Sequence, residues 1–130
     1  MTDIPAIYQG KLNTLDKITV SPLSRAYTFS DSIYEVIPYF FGKPLCFKEH
    51  FDRMIQSSHL MSLNVDFDSV NNDIKKLAAT LINQDGYIYY QISRGVDMVR
   101  SHIYQDDLEI ERFGYAMPVS FPSSSISAIL

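Results

Sequence analysis

The hydrophobic period changes in the middle of the chain, and this change constrains the fold more than any other feature. Six apolar residues recur at helical spacing in the second half of the chain: Val70, Ile74, Leu77, Ala78, Leu81 and Ile82. This spacing predicts an amphipathic helix that Asp66 or Asp68 can cap and that ends at the turn residues 83–86. A second apolar face predicts an earlier helix over 48–63: Phe51, Met54, Ile55 and Met61.

Strand-like runs lie before and after the two helical segments. They span residues 7–12, 18–20, 33–41, 45–47, 87–93 and 112–119. Gly10 supplies a tight turn inside the first run. Pro38 lacks an N–H, so it must lie at a sheet edge or a bulge. Because strands and helices are segregated along the chain, we expect an α+β fold: a two-layer sandwich of a mainly antiparallel sheet with two helices packed on one face.

Length and composition limit the domain count and the partners. The 130 residues suffice for one domain, which we place at 1–118, with 119–130 as a serine-rich tail or the start of an interdomain linker. The net charge of −4 argues against a nucleic-acid partner. Nine tyrosines and eight phenylalanines indicate half-buried sheet faces or a wet interface.

The single cysteine excludes an internal disulfide. Cys46 follows an apolar residue, so we expect a buried thiol rather than a nucleophile. The chain has neither an apolar run of the ~18 residues that a membrane helix needs nor a signal-peptide pattern at its start. These observations predict no membrane association and a cytoplasmic location, and the three scattered histidines predict no metal site.

A charged loop directly follows the strand-like run 87–93. It carries Arg94, Gly95, Arg100 and His102. In an extended segment side chains two apart point to the same side, so Arg100 and His102 would form a receptor for a carboxylate or a phosphate. From the loop alone, a surface segment with solvated arginines stays open as the alternative.

Three segments together resemble the N-terminal half of a D-amino acid aminotransferase. They are Ser24–Val36 (SRAYTFSDSIYEV), Phe47–Met54 (FKEHFDRM) and Arg94–His102 (RGVDMVRSH). That family belongs to the class IV aminotransferases, which use pyridoxal phosphate (PLP) and include branched-chain aminotransferases and aminodeoxychorismate lyase. The resemblance spans about residues 7–115. The ending Arg-x-His favours the D-amino acid branch over its relatives.

The resemblance implies roles for four residues. Arg53 would bind the PLP phosphate, and Tyr34 would help to hold the substrate carboxylate. Arg100 and His102 would form a carboxylate trap that is contributed to the active site of the neighbouring subunit, which implies a homodimer. From its position in the predicted strand alone, Tyr34 would be a tyrosine that is half buried in the sheet. Arg94 and Gly95 carry structural roles in this interpretation, a local pair and a turn.

Local sequence offers Arg53 another interpretation. A surface arginine of this kind would pair with a neighbouring acid on its own helix, Glu49 or Asp52.

The chain departs from the family pattern in two ways. Its Asp-Arg-Gly is Ser24-Arg25-Ala26 here, and its Gly-Asp-Gly is Ser30-Asp31-Ser32. In the family the lysine that forms the Schiff base with PLP and the acid that pairs with the pyridine nitrogen lie in a second domain, beyond position 130.

We therefore expect no catalytic residue in this chain and no transamination by the chain alone. The complete enzyme would take D-amino acids and 2-oxo acids as substrates. The alternatives are the N-terminal domain of an aminodeoxychorismate lyase or branched-chain aminotransferase, or a non-catalytic oligomerising module.

Overall fold

The computed structural model describes residues 3–121, and it confirms the predicted α+β sandwich. Six antiparallel strands form one sheet in the order β2-β1-β6-β5-β3-β4. The strands are β1 Pro5–Tyr8, β2 Lys11–Thr14, β3 Ser32–Phe40, β4 Lys43–Pro44, β5 Gly86–Ser93 and β6 Glu111–Pro118. The helices are α1 Arg25–Thr28, α2 Phe47–Leu60 and α3 Phe67–Ala78. The sequence did not predict the single turn α1.

The core lies between the sheet and the two longer helices. Side chains alternate along β3, where Ile33 and Ile37 are buried and Tyr34 is exposed. α2 packs over β3, and α3 packs over β1, β5 and β6. The buried residues between the layers include Met54, Val70, Ile74, Leu77, Ile88 and Ile92. Burying each such side chain contributes about 1.5–3 kcal/mol, so this layer supplies most of the driving force for the fold.

A polar group joins α3 to the sheet inside this core. The hydroxyl of Tyr90 donates to Asp73 Oδ2 at 2.6 Å, and Arg112 Nε lies 3.2 Å from the same oxygen. Burial and the bond to Asp73 raise the pKa of Tyr90 far above its ordinary value. The phenol therefore stays protonated and remains a donor to Asp73.

The other face of the sheet carries aromatic side chains instead of helices. The in-register neighbours Tyr89 and Tyr115 stack with their ring centroids 5.3 Å apart, and Tyr34 stacks on Tyr89 at 5.5 Å. Burial, together with a bond involving Tyr87, raises the pKa of Tyr115 to about 12. We call this side the open face.

Most predicted elements are confirmed, including the turn at Gly10 and both longer helices. Pro38 lies at a sheet edge as expected: its carbonyl accepts from the Leu45 amide, and β4 pairs only with Tyr39 and Phe40 of β3. Asp66 is the cap of α3, and its side chain accepts from the Asp68 amide.

Four predictions about single segments are wrong. Residues 45–47 are not a strand, because the strand that pairs with the end of β3 is 43–44 and α2 already begins at residue 47. Residues 18–20 are not a strand, since the Ile18 amide is used in closing a 3-10 turn on Leu15. Ile82 is 66% exposed because α3 ends at Ala78 and a tighter 3-10 turn follows, which rotates Ile82 out of the stripe. Cys46 is exposed rather than buried, because it precedes α2 with a left-handed φ of 53°.

β6 ends at Pro118, and the domain boundary that we place there stays a prediction. Two of the residues just beyond it still contact the domain, since the Val119 amide donates to the Asp85 carbonyl and Phe121 lies against Phe40. The rest of the predicted tail, 122–130, lies outside the described residues. Among the helices described, none has the length and apolar content that a membrane crossing requires.

Candidate active site

Tyr34 lies on the open face because β3 turns alternate residues to opposite sides of the sheet. Its side chain is 63% exposed, and its ring stacks on that of Tyr89. The Tyr89 hydroxyl in turn donates to Gln91 Oε1 at 2.8 Å. The ring of Tyr34 is thus oriented by a neighbour while its phenol stays accessible to a ligand.

The next residue, Glu35, points to the helix side and binds two side chains of α2. Arg53 donates from Nε to Oε2 at 2.7 Å and from Nη2 to Oε1 at 2.8 Å. His50 Nδ1 lies 2.7 Å from Oε1, where it donates because an ionised carboxylate only accepts. His50 and Arg53 reach one carboxylate because residues three apart are neighbours on a helix. We call Glu35, His50 and Arg53 the open network.

The open network is built asymmetrically. The Glu35 side chain is 7% exposed, whereas that of Arg53 is 63% exposed. Burial by itself raises the pKa of Glu35, but the bonds from Arg53 and His50 outweigh it and hold that pKa below its ordinary value. The same contact raises the pKa of Arg53. A fully ionised pair thus presents its cation to solvent and its anion to the core.

An uncovered strand edge brings Tyr34 and Arg53 together. Since β4 pairs only with Tyr39 and Phe40, no strand within residues 3–121 lies beside the earlier part of β3 on that side. An open cavity of about 420 Å³ lies there, lined by Tyr34, Glu35, Val36 and Arg53. Two of the four predicted site residues therefore share one cavity, although they belong to different elements.

A second network fixes the start of the loop that carries the other two. Arg94 donates from Nε to Asp31 Oδ2 at 2.6 Å, and Arg25 donates from Nε to the same oxygen at 3.0 Å. Asp97 Oδ2 lies 4.0 Å from Arg25 Nη1. All four side chains are at most 10% exposed. We call Arg25, Asp31, Arg94 and Asp97 the closed network.

The closed network agrees with the structural role predicted for Arg94 and Gly95. The Arg94 ion pair is long-range rather than local, since Asp31 lies 63 residues away. Arg94 also donates to the carbonyls of Met61 and Ser62. Gly95 has a φ of +128°, and an added Cβ would lie 2.3 Å from the Glu109 carbonyl oxygen. Only glycine avoids that contact.

Arg100 and His102 both contact the ring of Phe29. The guanidinium carbon of Arg100 lies 4.4 Å from the ring centroid, and the His102 ring meets it edge-on at 5.2 Å. The two side chains thus lie on one side of the loop. Within the described chain they form a group separate from the cavity of Tyr34 and Arg53.

A larger cavity of about 470 Å³ lies on the open face at the end of β5. Glu111 lines it and is 7% exposed. The hydroxyls of Tyr8 and Ser24 each donate to this carboxylate at 2.5 Å. Burial and the bond to Glu111 raise the pKa of Tyr8 well above its ordinary value. The Glu111 carboxylate therefore accepts hydrogen bonds from two hydroxyls that are distant in sequence, and its bond with Tyr8 joins β1 to β6 at the cavity wall.

Sequence reasoning missed the partner of Arg53. The local interpretation named Glu49 or Asp52, whereas the structure pairs it with Glu35, 18 residues earlier. A signal was present, because alternation along β3 puts Glu35 on the same face as Ile33 and Ile37. A carboxylate on a buried face requires a cationic or hydrogen-bonding partner. Phe29 gave no comparable signal, since its contacts depend on the path of a distant loop.

Known proteins resemble this chain in sequence and in fold. The family model for amino-transferase class IV matches residues 32–128. The D-alanine aminotransferase of Listeria monocytogenes serotype 1/2a is 33% identical over 95 residues, which make up 72% of this chain and 33% of that protein. The chain therefore spans about a third of the length of this relative.

Solved structures place the fold in the same group. The 4-amino-4-deoxychorismate lyase of Pseudomonas aeruginosa superposes with a TM-score of 0.78 at 16% identity, over 95% of this chain and 43% of that one. The branched-chain amino acid aminotransferase of Escherichia coli superposes with a TM-score of 0.78 at 16% identity, over 90% of this chain and 41% of that one. The chain belongs to the class IV aminotransferase family. Members of this family depend on PLP.

Proposed function

We propose that the chain is the N-terminal domain of a D-amino acid aminotransferase-like PLP enzyme that transfers an amino group between D-amino acids and 2-oxo acids. The observation that carries the proposal is the cavity at the edge of β3. There an exposed, fully charged Arg53 lies beside an exposed phenol, Tyr34. The similarity to D-alanine aminotransferases and the pair Arg100 and His102 support the D-amino acid branch.

The residues present fit the phosphate of PLP. Glu35 accepts from Nε and Nη2 of Arg53, which leaves Nη1 directed away from the pair. A guanidinium fixed on one edge offers the phosphate a pre-oriented donor at little further cost in side-chain entropy. When bound, PLP supplies an electron sink that stabilises negative charge at the substrate Cα. In this proposal the residues of this chain bind and orient PLP and the substrate.

The substrate carboxylate is assigned to three residues in this proposal. Tyr34 donates one directed hydrogen bond without adding charge. Arg100 supplies the cation, and within residues 3–121 it forms no ion pair that would have to be broken first. His102 supports it from the same loop. The proposal includes a homodimer in the cytoplasm, in which the loop of one subunit serves the site of the other.

Two other functions have supporting observations. A lyase or branched-chain enzyme is compatible with the fold neighbours, although the Arg-x-His loop favours a D-amino acid substrate. A non-catalytic oligomerising module would use the open face, where Tyr34 is 63% and Val36 39% exposed. Large exposed apolar patches often mark association sites.

Calorimetric titration of the chain with PLP and with pyridoxal tests the phosphate assignment. We expect PLP to bind more tightly, and Arg53→Ala to weaken PLP by about ten-fold or more, because a charged hydrogen bond contributes about 1.5–3 kcal/mol. Lys48→Ala is the matched control, since Lys48 is an exposed cation on the same helix and pairs with Asp52. Equal affinities for PLP and pyridoxal would contradict the assignment.

Assays with PLP, D-alanine and 2-oxoglutarate test the expectation about catalysis. We expect no turnover by this chain. Measurable turnover would contradict it.

A further inference from the structure

Little apolar burial holds the loop that carries Arg100 and His102. Met98 is 76% exposed, Val99 69% and Ile103 83%. A long, mobile side chain loses up to about 2 kcal/mol of rotamer freedom when it is fixed. A loop that presents two such groups in one geometry therefore needs specific contacts with a more rigid element.

Phe29 supplies one such contact. Its ring touches Arg100, His102 and Arg25, the last at 4.3 Å from the centroid. A cation above an aromatic face is attracted by the ring quadrupole. One phenyl ring thus constrains both candidate carboxylate ligands, and it is anchored to the domain through the Phe29 amide, which donates to the Arg25 carbonyl at 3.0 Å.

Arg25 supplies the second contact. Its Nη1 donates to the carbonyl of Ser101 at 2.6 Å, and Ser101 lies between Arg100 and His102. Its Nε is held by Asp31 at the same time. A lysine ammonium cannot span both acceptors with the fixed geometry of a guanidinium. The Arg25 amide also donates to the Gly95 carbonyl at the start of the loop.

The charges around Phe29 are arranged to favour an anion at Arg100. Asp31 at 3.0 Å and Asp97 at 4.0 Å neutralise Arg25. Asp31 carries two bonds from Arg94 as well, and those bonds and the bond from Arg25 outweigh its burial, so its pKa lies below the ordinary value. The closed network therefore contributes two arginines and two aspartates with no net charge. Among the described residues, Arg100 is then the cation at this ring that forms no ion pair.

We infer that Phe29 and Arg25 are positioning residues, which set the geometry of Arg100 and His102 as a carboxylate-binding pair. The significance of this inference rests on the proposed function, but its geometric content does not. Phe29 orients the two side chains, and Arg25 fixes the backbone between them.

NMR of the whole chain tests the geometry directly. Phe29→Leu removes the ring, and Phe29→Tyr keeps it. In Phe29→Leu we expect the His102 ring protons and the Arg100 Hε to move to the positions of a solvated loop, with the amides of β3 and β5 unchanged. Phe29→Tyr should keep the wild-type positions. Phe51→Leu, a ring loss within the Phe47–Phe51–Phe67 group, is the matched control and should leave both signals in place.

Hydrogen exchange tests Arg25. Arg25→Lys should raise the exchange rates of the Asp97 and Ile103 amides about ten-fold, the loss expected for one charged hydrogen bond. Arg112→Lys is the control, because Arg112 also pairs with a buried aspartate, and that aspartate, Asp73, lies on α3 rather than near this loop. If Arg25→Lys fails to fold, the Phe29 series decides alone. Unchanged His102 and Arg100 signals in Phe29→Leu would overturn the inference.

Pyruvate titration separates this inference from the proposed function. In the wild-type chain we expect pyruvate to shift the NMR signals of Arg100 and His102. The affinity for pyruvate should be about three- to thirty-fold weaker in Phe29→Leu and restored in Phe29→Tyr. Absence of any pyruvate response in the wild type would overturn the carboxylate role, while the ring-proton result would still support or overturn the positioning. If the wild type binds pyruvate and Phe29→Leu binds it with the same affinity, the positioning role alone is overturned.

Discussion

Two arginine–carboxylate networks lie near the start of β3, one around Asp31 just before the strand and one around Glu35 within it. They differ in where the cation lies. In the closed network the side chains of Arg25, Arg94 and Asp31 are all at most 10% exposed. In the open network Glu35 is equally buried, but Arg53 is 63% exposed. Both acids have a pKa below the ordinary value, because arginine donors outweigh burial in each.

The difference teaches what each network can do. A buried cation whose donors are already bound cannot accept a ligand without a large desolvation cost, so the closed network serves the structure. An exposed cation held by a buried acid keeps its orientation and still meets solvent, so the open network can bind an anion. The same chemical pair therefore gives a structural unit at one site and a candidate binding site at the other.

The largest expected effect is on stability when the closed network loses its central acid. Asp31→Asn leaves Asp97 as the one carboxylate beside two buried arginines, so Arg94 loses its ion-pair partner, and the free energy of unfolding should fall by about 3–5 kcal/mol. Glu35→Gln should cost only about 1–2 kcal/mol, since Arg53 can turn into solvent. Urea unfolding followed by circular dichroism measures both. Equal losses would remove the distinction between the two networks.

A backbone change at the closed network should have the next largest effect. Gly95→Ala puts a Cβ against the Glu109 carbonyl at a left-handed φ, and we expect a loss of about 1–3 kcal/mol. Gly10→Ala is the control: its φ is +80°, but the nearest atom is the side-chain Nη2 of Arg112 at 3.2 Å, which can move. The midpoint of thermal unfolding should be lower for Gly95→Ala than for Gly10→Ala. The reverse order would show that the backbone at the start of the loop can move to accommodate the added Cβ.

The pH dependence of stability should sharpen the comparison further. The folded pKa values of Asp31 and Glu35 lie below their ordinary values of 3.8 and 4.5. The unfolded chain then binds protons at a higher pH than the folded chain does, so stability is present above those ordinary values and is lost as the pH falls through the folded pKa values.

Urea midpoints between pH 7 and pH 3 check this dependence. We expect a decline in the wild type and a shallower one in Asp31→Asn and Glu35→Gln. A slope that neither substitution reduces would contradict the ion pairs.

The smallest effect is expected for an ion pair that belongs to neither network. Lys48 and Asp52 are 83% and 57% exposed at helical spacing, and such solvent-screened pairs contribute very little to stability. Lys48→Ala should therefore change the urea midpoint barely above error, with a smaller change still in high salt. A loss comparable to that of Glu35→Gln would show that exposure alone does not separate these pairs.

Local patterns in the sequence account for much of the fold. The apolar stripe of α3, the alternation in β3 and the turn at Gly10 each follow from residues near one another in the chain. The segregation of strands and helices along the chain was enough to predict the sandwich. The motif residues Tyr34, Arg53, Arg100 and His102 were also identified from sequence, and their roles remain predictions.

The tertiary structure decided what depends on contacts between distant residues. Arg53 pairs with Glu35 rather than with Glu49 or Asp52, and Arg94 pairs with Asp31, because strand register and helix packing set those distances. The exposure of Cys46 follows from one left-handed residue at a helix start. The periodicity of the sequence indicates which face of a helix or strand a side chain occupies. Its partner on that face is determined only when the sheet and the helices pack together.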